Sequence, residues 1–224
     1  MGEIKIGRMT IGIYATNSYF LYREGSPDCI VIDAPDEGRE TVLRLEAKGF
    51  HVRGLLLTHG HFDHIWGAAQ LRAAANELAQ SRGESLIRVY ALDAEEELLS
   101  DSHKNVSEQM GRPVTFRPNE YLKDGQELSL AGINFRVIAT PGHTIGSACF
   151  YVEEAGFLLS GDTLFEESVG RTDFPTGSMG SQVRSIREKL FALPDETKVF
   201  PGHGGVTSIG HEKKYNPFAA DSEV

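Results

Sequence analysis

The chain has 224 residues, 40% of them hydrophobic and 24% charged, with a formal net charge of −10. That size and composition suit one large globular domain or two small ones, taken as one over residues 1–224, and no apolar run approaches the ~18 residues a membrane span needs. The acidic balance and the lack of any basic stretch argue against tight nucleic-acid binding.

From the start of the chain, "MGEIKIGRMTIGIYATNSYF" lacks the ordered charged, apolar and small-residue regions of a signal peptide. Ile6 stands where N-myristoylation needs Ser or Thr. Apolar runs at Ser18–Tyr22 and Cys29–Ile32 read as buried strands. Cys29 and Cys149 are the two cysteines, each in apolar sequence and with no Cys-x-x-Cys, so they read as buried free thiols of a cytoplasmic protein. A helix is expected over about Glu37–Lys48, a strand over Val52–Leu57, and a second helix from about His64 to Ser81 with Leu71, Ala75 and Leu78 on one face. A strand at Leu86–Ala91 precedes the acidic run Asp93–Asp101, which reads as a short solvated helix whose acids suit the helix dipole. The stretch Ser100–Tyr121, interrupted by prolines, is expected to be irregular and to form a lid over a site. Strands follow at Ile133–Ala139, Cys149–Val152, Phe157–Leu159 and Lys198–Phe200, with Ala131–Gly132 and Ala155–Gly156 as hairpin turns. Between the last two strands, Met179, Val183, Ile186 and Leu190 mark a helix over about Ser178–Phe191. Strands alternate with helices but hairpins interrupt them, which predicts an α+β chain of two mixed sheets packed together with helices outside.

The eight histidines are unevenly placed. His59, His61 and His64 fall in "LTHGHFDHIWGAA", His143 in "TPGHTIGS" and His203 in "FPGHGG", all after strand ends in Gly-rich turns. His59 and His61 are two apart, so in an extended segment their rings share a face. Asp63 reads either as a helix N-cap or as a partner of His64, and "LLSGDTLF" delivers Asp162 from a strand end. Several neutral imidazoles converging in a buried site need a partner for each nitrogen, and a divalent cation supplies one. Nitrogen and carboxylate ligands without thiolates suit Zn²⁺, with Fe or Mn²⁺ as further choices.

Together these residues resemble the metallo-β-lactamase superfamily. Its H-x-H-x-D-H signature appears as His59-Gly60-His61-Phe62-Asp63-His64, followed by the His143, Asp162 and His203 motifs, over about Asn17 to Phe218. The resemblance implies an αββα sandwich with two divalent metals at one edge. One metal would be held by His59, His61 and His143, the other by Asp63, His64 and His203, with Asp162 and a hydroxide bridging them; Asp63 would also orient that hydroxide. Lactamases of the best-known zinc class carry a cysteine where Asp162 stands, so antibiotic hydrolysis is not expected. Flavodiiron proteins carry a glutamate at the position of His61 and append a flavin domain.

"SVGRTDFPTGS" and "PGHGGVTSIGHEKKYNPF" are similar to the glyoxalase II-like hydrolases, which cleave acylglutathione thioesters such as S-lactoylglutathione. The chain stops shortly after Phe218, like the shorter members, where the longer enzymes continue into a helical glutathione-binding domain. The implied substrate is a small acyl-thiol, attacked by a hydroxide made at neutral pH because two cations ~3.5 Å apart lower the pKa of water to about 7. Asp33 in "VIDAP" is a candidate to orient ligand loops, and Arg171, Lys213, Lys214 and Tyr215 are candidates for the anionic end of a substrate. The alternatives are a persulfide dioxygenase with one iron on His59, His143 and Asp162, a hydrolase of another ester or a lactone, and a non-catalytic metal-dependent module.

Overall fold

The computed structural model describes residues 2–220. The first sheet is built from β1 (Ile4–Ile11), β2 (Thr16–Arg23), β3 (Asp28–Ile32), β4 (His51–Leu56), β5 (Arg88–Leu92) and β6 (Glu120–Leu122), in that order. Its first three strands are antiparallel and β3 to β6 run parallel, with helices α1 (Gly38–Ala47), α2 (Phe62–Ile65), α3 (Ala68–Ser81) and α4 (Glu96–Leu99) in the crossovers. The second sheet holds β7 (Glu127–Leu130), β8 (Ile133–Ala139), β9 (Ala148–Val152), β10 (Phe157–Gly161), β13 (Lys198–Pro201) and β14 (Thr207–Ser208). Here only β10 and β13 are parallel, because α5 (Met179–Ser185) lies between them in sequence. A small hairpin of β11 (Leu164–Phe165) and β12 (Ser168–Val169) and helix α6 (Ile209–Tyr215) complete the chain.

The layers follow from the period-2 alternation of strands buried on both faces. Ile30, Ile32 and Leu56 pack inward against Phe135, Phe150 and Leu159 of the other sheet. Cys29, Val31 and Leu55 point the other way, onto Val42, Leu45 and Leu71 of α1 and α3. Cys149, Leu158 and Val199 meet Ile186, Leu190 and Ile209 on the far side. Helix, sheet, sheet and helix therefore stack around three cores, as expected. The two thiols are free and lie on opposite outer faces, and burial pushes them up to about 12 (Cys29) and about 11 (Cys149), which leaves them unreactive. Among the described residues no helix is long and apolar enough to cross a membrane.

Several expectations need correcting. The helix read from His64 to Ser81 is two helices, because Gly67 turns to donate its N–H to the Ala34 and Pro35 carbonyls, 2.9 Å each. The break lets His64 face the strand ends while Leu71 and Ala75 keep to the core. In α5, Met179 is 43% exposed, and Gln182 and Ser185 are buried instead. That end of the helix faces polar backbone, and Ser185 donates to the Pro141 carbonyl at 2.8 Å. Beyond Ser185 a π-helical turn, Ile186–Leu190, restores the apolar face. Asp93–Asp101 is not wholly solvated, since Glu95, Leu98 and Leu99 are buried. The 102–119 stretch is irregular, as expected, with Asn105, Val106 and Ser107 fully buried. Edge strand β1 escaped the reading because Lys5 and Arg8 break its apolar run, as suits an exposed edge.

Candidate metal centre

The parallel strands β3 and β4 in one sheet, and β10 and β13 in the other, end at a common edge, and the polar residues follow those ends. Asp33 leaves β3, the His59–His64 segment leaves β4, His143 leaves β8, Asp162 leaves β10 and His203 leaves β13. All seven expected ligands converge, in three overlapping groups whose donor atoms lie within 4.8 Å of one another. These are His59, His61 and His143; His59, His64 and Asp162; and Asp63, His64 and His203. His143 Nε2 lies 2.8 Å from His61 Nδ1 and 3.2 Å from His59 Nε2. Asp162 spans the groups: Oδ1 is 3.4 Å from His64 Nε2, and Oδ2 is 3.6 Å from His143 Nε2 and 3.5 Å from His203 Nε2.

The donors fit divalent cations. Nitrogens bonded tetrahedrally to one Zn²⁺ at 2.0–2.1 Å sit about 3.3 Å apart, close to the His59–His143 separation. His64 Nε2 and Asp162 Oδ1 are buried with no hydrogen-bond partner, an arrangement that is costly unless something else binds there. Burial, then neighbouring imidazoles, pulls His59 far below its usual range and His61 down to about 3; burial also lowers His143. Those three rings are neutral and offer lone pairs. Burial works the same way on His64 and His203, but the carboxylates of Asp63 and Asp162 outweigh it and raise both. Burial opposes ionisation of Asp63 and Asp162, yet the facing imidazoles hold both below the usual carboxylate range. This half of the site favours positive charge, which a cation would supply.

A supporting shell fixes the rings of His64 and His143 and the Asp63 carboxylate. Asp33, at φ 58°, accepts from the Thr58 N–H at 2.8 Å and from the Thr58 hydroxyl at 2.7 Å, and pairs with His64 Nδ1 at 2.8 Å. That bond keeps a proton on Nδ1, so Nε2 is the nitrogen that would meet a cation. His143 Nδ1 donates to the Arg171 carbonyl at 2.7 Å. Asp63 sits in the first turn of α2 with no capping bond; its Oδ2 accepts from the Thr16 hydroxyl at 3.1 Å and approaches His203 Nε2 at 3.2 Å, so the N-cap reading is set aside.

The sequence reading missed three further residues. Glu95 is fully buried and ties two ligand loops together, accepting from Gly60 N–H at 2.7 Å, Gly146 N–H at 2.8 Å and the Thr144 hydroxyl at 3.0 Å. Burial outweighs those three bonds and raises its pKa to about 7. Its spacing from Leu98 and Leu99, three and four residues on, was the available signal for an inward face. Gln182 donates to the Asp162 and Thr163 carbonyls, and Asn17 to those of Pro201 and Gly204, bracing the Asp162 and His203 turns.

A cavity of about 340 Å³ opens over the ligands, walled by Phe165, Phe174 and Arg171. Arg171 reaches this wall, but its guanidinium is bound to Asp173 by two 2.7 Å bonds and lies 3.9 Å over the Phe174 ring. Lys213, Lys214 and Tyr215 do not line the cleft. Ile209 anchors α6 in the outer core, which turns Lys213 to Asp195 at 2.5 Å and leaves Lys214 over the Tyr215 ring.

Two mixed sheets between helices, with a histidine and aspartate cluster at the strand ends, define a metal-dependent hydrolase. The chain belongs to the metallo-β-lactamase superfamily, whose family pattern matches residues 11–203. It is 35% identical over 217 residues to "Probable metallo-hydrolase YqgX" of Bacillus subtilis, covering 96% of this chain and 97% of that one. Over 191 residues it is 35% identical to "Hydroxyacylglutathione hydrolase GloC" of Haemophilus influenzae, covering 84% and 85%. Among solved structures it is similar to the B3 metallo-beta-lactamase BLEG-1, with TM-score 0.83, 32% identity and coverage of 96% and 99%. It is also similar to TTHA1623, solved in a di-iron-bound form, with TM-score 0.78, 30% identity and coverage of 95% and 99%.

Proposed function

We propose that this protein hydrolyses acyl thioesters, S-lactoylglutathione among them, with two divalent cations, Zn²⁺ or Fe, held by the seven residues above. The observation that carries the two-metal reading is the pair of buried atoms without a hydrogen-bond partner, His64 Nε2 and Asp162 Oδ1, which lie 3.4 Å apart. A one-iron dioxygenase on His59, His143 and Asp162 would leave His64 Nε2 without a role. The thioester reading is supported by the likeness to the Haemophilus hydroxyacylglutathione hydrolase.

Bound at this edge, two divalent cations supply Lewis acidity and acidify water towards a pKa of about 7. The protein's side chains do the positioning. Asp63, steadied by Thr16, accepts a hydrogen bond from the attacking water and orients it. Phe165 and Phe174 wall the cavity with apolar surface that limits bulk water. A thiol with a pKa near ~8.5 leaves as thiolate, so no acid side chain is needed. Neither Cys29 nor Cys149 serves as nucleophile, since both are buried with raised pKa values.

The test is metal content per chain together with S-lactoylglutathione hydrolysis by the same preparation. Two metals with cleavage that chelation abolishes and re-addition restores would support the reading. One iron, no cleavage and oxygen uptake with glutathione persulfide would replace it with the dioxygenase. Two metals with turnover only of a lactone or a penicillin would keep the centre and change the substrate.

A further inference from the structure

A second cavity, about 560 Å³, lies beside the first, and Tyr14, Asp63 and Met110 line both. Its walls come from three places distant in sequence: the β1–β2 tip with Ile13 and Tyr14, Trp66 after α2, and Met110 in the irregular 102–119 stretch. Ile13 is 90% exposed, and Tyr14 and Met110 are each 38% exposed. Large apolar side chains gathered beside a cluster of ligating groups are offered to a ligand. The wall is ordered: the Tyr14 ring meets Phe62 edge-on at 4.9 Å and lies 6.0 Å from Trp66, and its hydroxyl donates to Met110 Sδ at 3.2 Å.

The charged groups at the rim already have partners. Arg112 donates to Asp36 at 2.8 Å and lies 5.1 Å over the Trp66 ring, and Glu37 takes Arg44 at 3.1 Å. No lysine lines either cavity among the described residues, and the two arginines that do, Arg112 and Arg171, are each matched to a carboxylate. Nothing in the larger groove waits for a ligand anion, while Ile13, Tyr14 and Met110 leave apolar surface exposed along it.

We propose that this groove receives the acyl chain of the substrate, and that the preferred acyl groups are apolar chains of several carbons rather than short hydroxyacyl groups. The inference rests on the thioesterase reading of the adjoining metal centre. With the carbonyl over the ligand cluster, the acyl arm extends past Asp63 along Tyr14 and Trp66, and the thiol arm occupies the smaller cavity beside Phe174.

The experiment uses the two-metal protein and S-acylglutathiones from acetyl to octanoyl, so that the thiol arm stays constant. Each buried methylene should raise kcat/KM about fourfold until the groove is filled, and S-lactoylglutathione should fall below S-butanoylglutathione. Ile13→Asp, at a site too exposed to affect folding, and Met110→Ala should each flatten the series, lowering the octanoyl-to-acetyl ratio tenfold or more. A flat wild-type series, a preference for lactoyl over butanoyl, or a slope unchanged in both variants would overturn the assignment and leave the thioesterase intact. Failure to cleave any thioester with both metals present would remove the thioesterase reading and this one with it.

Discussion

Replacing Asp33 with asparagine exchanges one carboxylate oxygen for an amide group and leaves the backbone unstrained, because asparagine tolerates the left-handed conformation found there, φ 58°. The native carboxylate takes three donors: the Thr58 N–H, the Thr58 hydroxyl and His64 Nδ1. Asparagine can serve them in two ways, both unfavourable. With its oxygen towards His64, the amide N–H₂ faces the Thr58 N–H, and a buried donor without a partner costs about 1–3 kcal/mol. With its nitrogen towards His64, the ring must accept at Nδ1, which moves the imidazole proton onto Nε2 and blocks the nitrogen that would ligate. Metal affinity of the Asp63, His64 and His203 set should fall about 10–100-fold, the usual effect of losing such an outer partner. Affinity at His59, His61 and His143 should change little, so chelator competition should resolve one weakened and one intact site. Urea unfolding of the metal-free variant should show the lost 1–3 kcal/mol. Two unchanged affinities, with an unfolding free energy within about 0.5 kcal/mol of wild type, would refute the account of His64 orientation.

Glu95→Gln probes the clamp between ligand loops. Folding raises the Glu95 pKa from 4.5 to about 7, so the folded chain holds an extra proton between those values and loses stability relative to the unfolded chain as pH rises through them. The difference is worth about 3 kcal/mol. Unfolding of metal-free protein across that range should therefore move in favour of Glu95→Gln as pH rises, and parallel pH profiles would contradict it. Gly202→Ala would set a Cβ 2.2 Å from Asp162 Oδ1 and 2.7 Å from His64 Cε1. Overpacking of this kind costs about 1–3 kcal/mol and should displace both ligands, read as lost metal and lost turnover. The double variant Lys213→Ala and Lys214→Ala should leave KM for an anionic thioester within about twofold, since neither ammonium reaches the cleft; a large rise would return them to the site.

The seven clustered side chains were legible as a set because metal chemistry would demand such residue types, and the His59–His64 spacing places most of them locally whatever surrounds them. The layered fold was legible for a similar reason: runs such as Cys29–Ile32 are apolar on both faces and have to be covered twice. The break at Gly67 was hidden, because Leu71, Ala75 and Leu78 keep helical spacing while the deciding contacts are carbonyls of Ala34 and Pro35, some thirty residues earlier. Lys213 and Lys214 stood as candidates for the anionic end of a substrate, against the reading of a solvated surface pair. The packing of Ile209 turned their helix elsewhere.

The sequence by itself brought out the cluster of histidines and aspartates and the strand ends that carry it, through residue type and short-range spacing, and the likeness of its motifs pointed to the superfamily. Tertiary structure alone decided what holds and surrounds that set. Glu95 joins loops at Gly60 and Gly146, Asp33 aims His64, and Ile13, Trp66 and Met110 meet beside Asp63. Each of those relations links positions tens of residues apart, and their meeting depends on how two sheets pack rather than on any local pattern.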